Sequence, residues 1–372
     1  MRLHRFLLTA LLAATLVHPD AAAAQGTESA LEFHAALNTA VGRAKDLPVL
    51  GIPTYATFDY RTAMLQFRYK VNEHDQFVVQ LLNRRLGNSP LAAAIPDVSM
   101  QWAFWQRRST WGALKIGRAP MPRGIFNEIR FVGTVLPFFR PSFEIYGEGR
   151  ETVDGAVFTR RQPLGRGFSF DVSAFGGSNE VRTQVVTATG NSIRAFRGNN
   201  LKGVQGWLNI PFGETRVGGF YADYHIDSDT ARGTRGEILY SAETRIVPRT
   251  TLRGEALRIY GIGPAQDRKS YSTEAVVNIV ERFDLSGQYS FTDNRIFQRA
   301  PLLNVNVDAT KDIAVGATYR IGGGALVRLE HHTVEGYAFD RFVPLLTNVN
   351  GQPVVAPPSK GSYWLGSFAV SF

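Results

Sequence analysis

The chain has 372 residues, no cysteine, 36 glycines, 12% aromatic residues and a formal net charge of +9 at pH 7. The lack of cysteine excludes disulfide bonds and thiolate chemistry. The basic excess is compatible with nucleic acid, anionic lipid or anionic solutes as partners, and the N-terminal residues help to choose among them.

The N-terminus has the pattern of a secretory signal peptide. A basic start precedes an apolar run over residues 6–17, and a tract of four alanines follows at residues 21–24. A membrane anchor is the weaker alternative, because the apolar run is shorter than the ~20 residues that span a bilayer. We predict a cleaved signal peptide over residues 1–24 and one mature domain over 25–372, for which export makes nucleic acid the least favoured partner.

From about residue 30 onward, apolar and polar residues alternate in short segments. In the stretch "AMLQFRYKV", Leu65, Phe67 and Tyr69 alternate with polar residues. A period of two is typical of β-strands with one apolar face. The pattern predicts about sixteen strands, near residues 29–42, 60–71, 76–86, 97–108, 111–118, 152–161, 166–176, 200–210, 215–227, 234–246, 250–261, 269–280, 284–293, 308–320, 324–335 and 363–372.

The linkers between these strands alternate between short and long. Residues 72–75 and 211–214 form short linkers, whereas 117–151, 177–199 and 294–307 form long ones. Tight turns at one end and long loops at the other are typical of outer-membrane barrels. A soluble β-sandwich is less favoured because the polar faces carry charges in mid-strand, as at Glu255. The sequence predicts an all-β fold, a transmembrane antiparallel β-barrel.

The third long linker, residues 117–151, differs from the others in composition. It contains four prolines, six aromatic residues and interleaved Arg and Glu. Prolines would stiffen such a loop, and aromatic side chains could fix it to a wall. The segment resembles the constriction loop of bacterial porins, in particular the proteobacterial group of phosphate-selective and related anion-type porins. The residues that carry the resemblance are Gly117-Arg118-Ala119-Pro120, Pro122-x-Gly124, Asn127-Glu128-x-Arg130, Val132-Gly133-Thr134, Leu136-Pro137-Phe138-Phe139-Arg140-Pro141, Ile145-Tyr146 and Glu151-Thr152-Val153-Asp154-Gly155.

This resemblance covers the loop in detail and the rest of the chain only as strand architecture. It implies a third external loop folded into the lumen, a water-filled channel across the outer membrane, and a homotrimer. The charged loop residues that we select as candidates for the constriction are Glu128, Arg130, Arg140 and Glu144. An external cap, or a latch on a neighbouring subunit, is the alternative for this loop.

The alternation also predicts which charges on the barrel wall face the lumen. If Leu65, Phe67 and Tyr69 face lipid, the polar residues between them face inward. By this parity, four neighbouring strands present a basic wall without an inward acid in mid-strand, and a charge of one sign sets ion preference in a pore. The predicted wall residues are Arg68, Arg84, Arg107 and Lys115.

The sequence therefore predicts an outer-membrane porin that passes small hydrophilic solutes passively, with a preference for anions, and that lies among outer-membrane lipids. A specific channel for phosphate, another oxyanion or an organic acid is the second hypothesis, since arginine binds oxyanions in a bidentate manner. A non-conducting exported adhesin or structural barrel is the third. No cofactor, metal site or enzymatic activity is predicted, because no G-x-S-x-G, H-E-x-x-H or P-loop motif occurs.

Overall fold

A computed structural model describes residues 30–88, 98–147, 149–187, 190–228, 231–261, 265–299, 302–341, 343, 346–349 and 352–372. The predicted signal peptide over residues 1–24 lies outside these ranges. Within them, no helix has the length and apolar character needed to cross a membrane.

The described strands form a closed antiparallel barrel in which neighbours in sequence are neighbours in space, and β1 closes the ring on the last strand. Sixteen of the eighteen strands belong to this barrel, as predicted; β16 and β17 pair only with each other. The strands are β1 Leu31–Lys45, β2 Thr57–Lys70, β3 Asp75–Leu86, β4 Ser99–Ser109, β5 Gly112–Pro120, β6 Thr152–Gly165, β7 Phe168–Thr187, β8 Gly190–Ile210, β9 Thr215–Ser228, β10 Ala231–Thr244, β11 Thr250–Gly261, β12 Ala265–Val280, β13 Phe283–Arg299, β14 Leu302–Gly322, β15 Ala325–Gly336, β16 Leu346–Val349, β17 Gln352–Val355 and β18 Ser359–Ser371.

The two faces of the barrel differ as the alternation predicts. On β13, Ser286, Gln288 and Ser290 are buried, whereas Leu285 and Tyr289, which point to the other face, are 44% and 43% exposed. A closed sheet leaves no unpaired edge, so such a barrel can present an apolar outer face to a bilayer while its polar side chains face inward. In the paragraphs below, inner and outer refer to these two faces.

Two predicted long loops are largely strand. The linkers predicted over residues 177–199 and 294–307 are hairpins in which β7 runs on to Thr187 and β13 runs on to Arg299. Their partners β8 and β14 are each 21 residues long. The prediction of loops here was wrong because these segments lack the strict period-two alternation of the other strands, although their Val and Ile residues favour extended backbone.

The segment between β5 and β6 is the main non-strand part of the described chain. It contains a 3-10 turn at Gly133–Val135 and a short helix, α1, at Phe143–Tyr146. Its apolar residues share one buried cluster with apolar residues of the inner wall of the barrel. The core of the protein therefore lies between this segment and the wall. The cluster includes Phe126, Leu136, Ile145 and Tyr146 from the segment and Phe220, Leu239, Leu257 and Ile259 from the wall.

Candidate functional site

The candidate site is the inner segment, which we define as residues 121–151, together with the wall that it contacts. The strands β2 and β10 lie eight places apart in the sixteen-strand ring, that is, on opposite sides. The segment binds both: Arg140 donates to the hydroxyl of Tyr60 on β2, and Arg123 pairs with Glu237 on β10. It therefore crosses the interior of the barrel.

Two glycines permit the close approach of this segment to the wall. Gly124 has φ +63°, and a Cβ atom there would lie 2.6 Å from Glu255 Oε1 and 2.8 Å from Leu239 Cδ2. At Gly133, a Cβ atom would lie 2.6 Å from the Cβ of Asn38 on β1. Neither position can hold a larger residue without moving the segment.

The first attachment is a buried charge cluster on β10. Arg123 Nε lies 3.1 Å from Glu237 Oε2, and Arg150 Nη1 lies 2.7 Å from Glu237 Oε1. The side chains of Arg123 and Glu237 are 0% and 3% exposed. Arg123 also donates to the carbonyl oxygen of Ile145 at 2.8 Å. One wall carboxylate thus fixes both ends of the inner segment.

The second attachment is Glu255 on β11. Its Oε1 accepts hydrogen bonds from the backbone N–H of Ile125 at 3.1 Å and from the hydroxyls of Tyr146 and Ser241, each at 2.8 Å. The Tyr146 hydroxyl in turn accepts from the backbone N–H of Phe126 at 2.9 Å. Burial and the negative charge of Glu255 hold the pKa of Tyr146 well above its usual value. Tyr146 is therefore a neutral donor that ties α1 to the wall.

The third attachment involves Glu144, one of the acids predicted to line the constriction. Glu144 Oε2 accepts from Ser290 on β13 at 2.8 Å and from Ser142 at 3.2 Å. Arg268 on β12 donates to the backbone oxygen of Glu144 at 2.7 Å. Burial, with the nearby charge of Asp312, raises the pKa of Glu144. The structure thus places Glu144 against the wall, where its neutral form is favoured.

The fourth attachment joins the middle of the segment to β15 and β1. Arg328 Nη2 donates to the carbonyl oxygens of Gly133 at 3.0 Å and Leu136 at 2.6 Å. Glu330 Oε1 accepts from the backbone N–H of Phe139 at 2.7 Å, and Asn38 Nδ2 donates to the oxygen of Phe139 at 3.0 Å. Backbone groups that a long loop would otherwise leave without partners are thus satisfied by the wall.

A pocket between the inner segment and β2–β3 brings three of the predicted arginines together. Arg84, Arg130 and Arg140 line it, with aromatic and polar side chains between them. Arg84 and Arg130 each lie 5.5 Å from the centre of the Phe131 ring. Glu151 Oε1 is 3.8 Å from Arg84 and 3.6 Å from Arg130. We call this the arginine pocket.

The other predicted residues lie elsewhere. Arg68 faces inward, as expected, but pairs with Glu32 at 3.2 Å near the turn after β2. Lys115 also faces inward and lies 5.6 Å from the ring of Phe104. Glu128 is an exposed residue of the inner segment. Of the two acids selected from the sequence, Glu128 is therefore accessible and Glu144 is buried.

The prediction of an inward Arg107 is wrong. The strand register pairs Arg107 with Asp75, and its neighbours Gln76 and Gln106 are the buried, inward pair. The Arg107 side chain is 58% exposed and its Nη1 lies 3.8 Å from Asp75 Oδ2. The prediction carries the parity from β3 to β4 across a long linker that does not fix the register, and an error of one residue moves a side chain to the other face.

A row of alternating charges near the short turns was not selected from the sequence. Arg216 on β9, Glu243 on β10, Arg253 on β11 and Glu274 on β12 are successive cross-strand partners. Arg216 lies 3.2 Å from Glu243, Arg253 also pairs with Glu243, and Arg253 lies 2.6 Å from Glu274. The period-two pattern marks these residues as polar, but only the register shows that they form one row.

Solved structures share this architecture. No protein-family model matches the sequence, and no curated protein does either. An anion-selective porin from Comamonas acidovorans aligns with 93% of this chain and 100% of its own, at 12% identity and a TM-score of 0.58. OmpF of Salmonella typhi aligns with 92% of this chain and 97% of its own, at 14% identity and a TM-score of 0.59. OmpT of Vibrio cholerae in its trimer form aligns with 92% of this chain and 99% of its own, at 11% identity and a TM-score of 0.55.

The chain has a porin-like fold. At identities of 11–14%, the likeness is one of fold, and what the chain does has to be argued from its own residues.

Proposed function

We propose that the protein is an outer-membrane porin, a water-filled channel for the passive diffusion of small hydrophilic solutes. A barrel of sixteen strands is wide enough to enclose an aqueous channel. The observation that carries the proposal is the inner segment, which is bound to opposite walls through Tyr60 and Glu237. A segment held in this way would narrow the lumen and act as the constriction.

Anion preference is the finer part of the proposal. The arginine pocket places Arg84, Arg130 and Arg140 in one cavity between the inner segment and the wall, with the carboxylate of Glu151 beside Arg84 and Arg130. Arginine side chains that line a constriction favour permeation by anions. The Comamonas acidovorans structure with the same fold is described as an anion-selective porin, which agrees with this direction.

A channel specific for phosphate, another oxyanion or an organic acid is the second candidate. Guanidinium groups recognise carboxylate and phosphate in a planar, bidentate geometry. Here Arg84 and Arg130 each lie 5.5 Å from the centre of the Phe131 ring, and Arg140 lies 5.7 Å from the ring of Phe143. Cation–π contacts of this kind restrict the positions of the guanidinium groups, as a binding site requires.

A homotrimer in the outer membrane, exported with a cleaved signal peptide, is also part of the proposal. The Vibrio cholerae OmpT structure of the same fold is described as a trimer form. The apolar outer face, with Leu285 and Tyr289 exposed on β13, suits a bilayer.

The test is electrical. The purified protein is reconstituted in a planar bilayer, and the reversal potential is measured across a KCl gradient before and after addition of phosphate. A reversal potential that shows anion selectivity, with no block of the current by phosphate, supports the general anion-preferring porin. Saturable block of the current by phosphate supports the specific channel. A reversal potential that shows cation selectivity would overturn the anion preference. Absence of conductance would overturn the porin proposal in favour of an adhesin or structural barrel.

The arginine pocket is tested with matched variants. Arg84→Gln is expected to reduce the anion preference, and Arg84→Lys is expected to retain it because the charge remains. Arg107→Gln is the control, since Arg107 lies on the outer face beside Asp75. Equal effects of Arg84→Gln and Arg107→Gln would contradict the role of the pocket.

A further inference from the structure

A second basic cluster lies where the inner segment meets the wall at β9, β10 and β12. It contains Arg123 and Arg150 of the inner segment, Arg235 and Glu237 on β10, and Arg268 on β12. Since β2 and β10 are opposite strands of the ring, this group lies across the barrel from the arginine pocket. We call it the β10 cluster. Attachment of the inner segment to Glu237 uses its first two arginines and leaves the other two unexplained.

The strand register brings the wall residues of the cluster onto one inner face. Arg235 pairs with Tyr224 on β9. Glu237 pairs with Ile259 on β11, which in turn pairs with Arg268 on β12. Tyr224, Glu237 and Ile259 are all buried. Because cross-strand partners share a face and every second residue of a strand returns to it, Arg235 and Arg268 also point into the barrel.

The cluster has more positive than negative charge. Arg123 and Arg150 share the carboxylate of Glu237, at 3.1 Å and 2.7 Å. Within the described ranges, no carboxylate lies within 4.0 Å of the guanidinium group of Arg235 or of Arg268. Each of these two wall arginines instead lies near the positive charge of Arg150. Four guanidinium groups thus surround one carboxylate.

The other acids close to the cluster are engaged elsewhere. Glu144 is bound to Ser290, and burial favours its neutral form. Glu151 pairs with two arginines of the arginine pocket. Glu255 accepts three hydrogen bonds from the inner segment and the wall. The positive charge of the β10 cluster is therefore available to a ligand.

Several donors of the cluster are buried without a hydrogen-bond partner in the part of the chain that the structure describes. They are Arg123 Nη1, Arg150 Nε, Arg235 Nε and the hydroxyl of Tyr224. The side chain of Arg123 is 0% exposed, and Tyr224 is 2% exposed. A buried donor without an acceptor costs free energy, and a charged donor costs more than a neutral one. Four such donors in one place indicate a ligand that accepts hydrogen bonds from them.

The cluster is open to solutes in the lumen. Arg150, Arg235 and Arg268 are only partly buried, in contrast to Arg123 and Tyr224. A solute that enters the barrel can therefore reach the guanidinium groups of both the inner segment and the wall. Bound there, it would contact the two parts of the protein at once.

We propose that the β10 cluster binds a free phosphate ion, which holds the inner segment to the wall. Arg150 of the segment and Arg235 and Arg268 of the wall donate to its oxygens, and the hydroxyl of Tyr224 donates a further hydrogen bond. The two N–H groups of a guanidinium edge match two oxygens of a phosphate, whereas chloride has no such pair of acceptors. This role goes beyond the proposed function and does not require the channel to conduct.

The first experiment is isothermal titration of inorganic phosphate into the full-length protein at constant ionic strength. The micelles consist of an uncharged detergent without phosphorus, so that a bound phosphate is the free ion and not a lipid headgroup. We expect one saturable site. Arg235→Gln should weaken its affinity about tenfold, the effect of one hydrogen bond to a charged group. Arg235→Lys should weaken it less, because the charge remains although the paired donors are lost.

Arg258→Gln is the matched control, because Arg258 is an exposed arginine on the outer face of the adjacent strand β11. It should leave the affinity for phosphate unchanged. Absence of a saturable site, or equal losses in Arg235→Gln and Arg258→Gln, would overturn the proposal. Loss of the site in Arg84→Gln but not in Arg235→Gln would place the phosphate in the arginine pocket and would also overturn it.

Urea unfolding in lipid vesicles tests whether the phosphate holds the inner segment. In chloride alone, Arg235→Gln should be at least as stable as the wild type, because it removes a cation that lies near Arg150 and Arg268. Phosphate should raise the unfolding midpoint of the wild type more than that of the variant, since a ligand of the folded state stabilises it. An equal rise in both proteins would contradict the proposal. A protein that binds phosphate at this site but does not conduct would contradict the porin proposal alone.

Discussion

Arg123 of the inner segment and Glu237 on β10 form an ion pair whose side chains are 0% and 3% exposed, although 114 residues separate them in sequence. Desolvation makes such a pair costly to form and costly to break on one side only. The pair therefore matters for where it places the inner segment. It holds the start of the inner segment to the wall opposite Tyr60, and Arg150 binds the same carboxylate from the segment's other end.

The first prediction concerns this pair. Glu237→Gln removes the carboxylate that pairs with both buried arginines, Arg123 and Arg150, and we expect a loss of about 3–5 kcal/mol in the free energy of unfolding. The measurement is urea unfolding in lipid vesicles, followed by tryptophan fluorescence. Arg258→Gln serves as the control, because Arg258 pairs with Asp267 at 2.9 Å with 55% of its side chain exposed, and its loss should cost at most about 1 kcal/mol. Similar losses in the two variants would contradict the assignment.

The second prediction separates two acids that the sequence grouped together. Glu128 is exposed on the inner segment, whereas Glu144 is buried against Ser290. Glu128→Gln should shift the ion selectivity of the channel toward anions because it removes an accessible negative charge. Glu144→Gln should leave the preference unchanged near neutral pH. Reversal potentials in a KCl gradient measure both, and a shift in Glu144→Gln alone would show that the two placements are reversed.

The third prediction is the pH dependence that follows from Glu144. Burial raises the pKa of Glu144 above the ordinary value of 4.5. Between pH 4.5 and this raised pKa, the folded state therefore keeps a proton that the unfolded state has lost. The contribution of Glu144 to the free energy of unfolding is therefore fully present below pH 4.5 and decreases as the pH rises through the raised pKa. Glu144→Gln retains the neutral form at every pH, and its stability relative to the wild type should increase as the pH is raised above 4.5 in urea unfolding. A constant difference would refute the prediction.

The fourth prediction tests the close contact of the inner segment with β1. Gly133→Ala places a Cβ atom 2.6 Å from the Asn38 Cβ, so the segment must move away from the wall. We expect a changed single-channel conductance, together with a loss of stability. Gly254→Ala on β11 is the control, because its Cβ atom would meet no atom within 4 Å. Unchanged conductance in Gly133→Ala would mean that the contact does not set the aperture.

The sequence was sufficient for the barrel because each strand repeats one signal. The alternation of Leu65, Phe67 and Tyr69 with polar residues recurs along the chain, and a closed ring is the arrangement that pairs every strand. It was not sufficient for Arg107, whose face depends on a register that no single strand encodes. It also could not supply the partners of the inner segment, since Arg328 and Leu136 are 192 residues apart.

The candidate site was predicted in part for the same reason. Proline and aromatic content marked the inner segment, and charge marked Arg84, Arg130 and Arg140, which the structure brings together. Whether a charged side chain faces open space or a wall depends on tertiary contacts. Glu144 and Glu128 look alike in the sequence, yet Ser290 binds the first and the second is exposed.

The attachments of the inner segment to opposite walls have a mechanical consequence. A hollow barrel of sixteen strands can flatten easily. The inner segment binds β2 and β10 on opposite sides, so it resists a change in the distance between these two strands. Lateral pressure from the surrounding bilayer would then be transmitted to the segment, and the width of the passage beside it would follow the shape of the barrel.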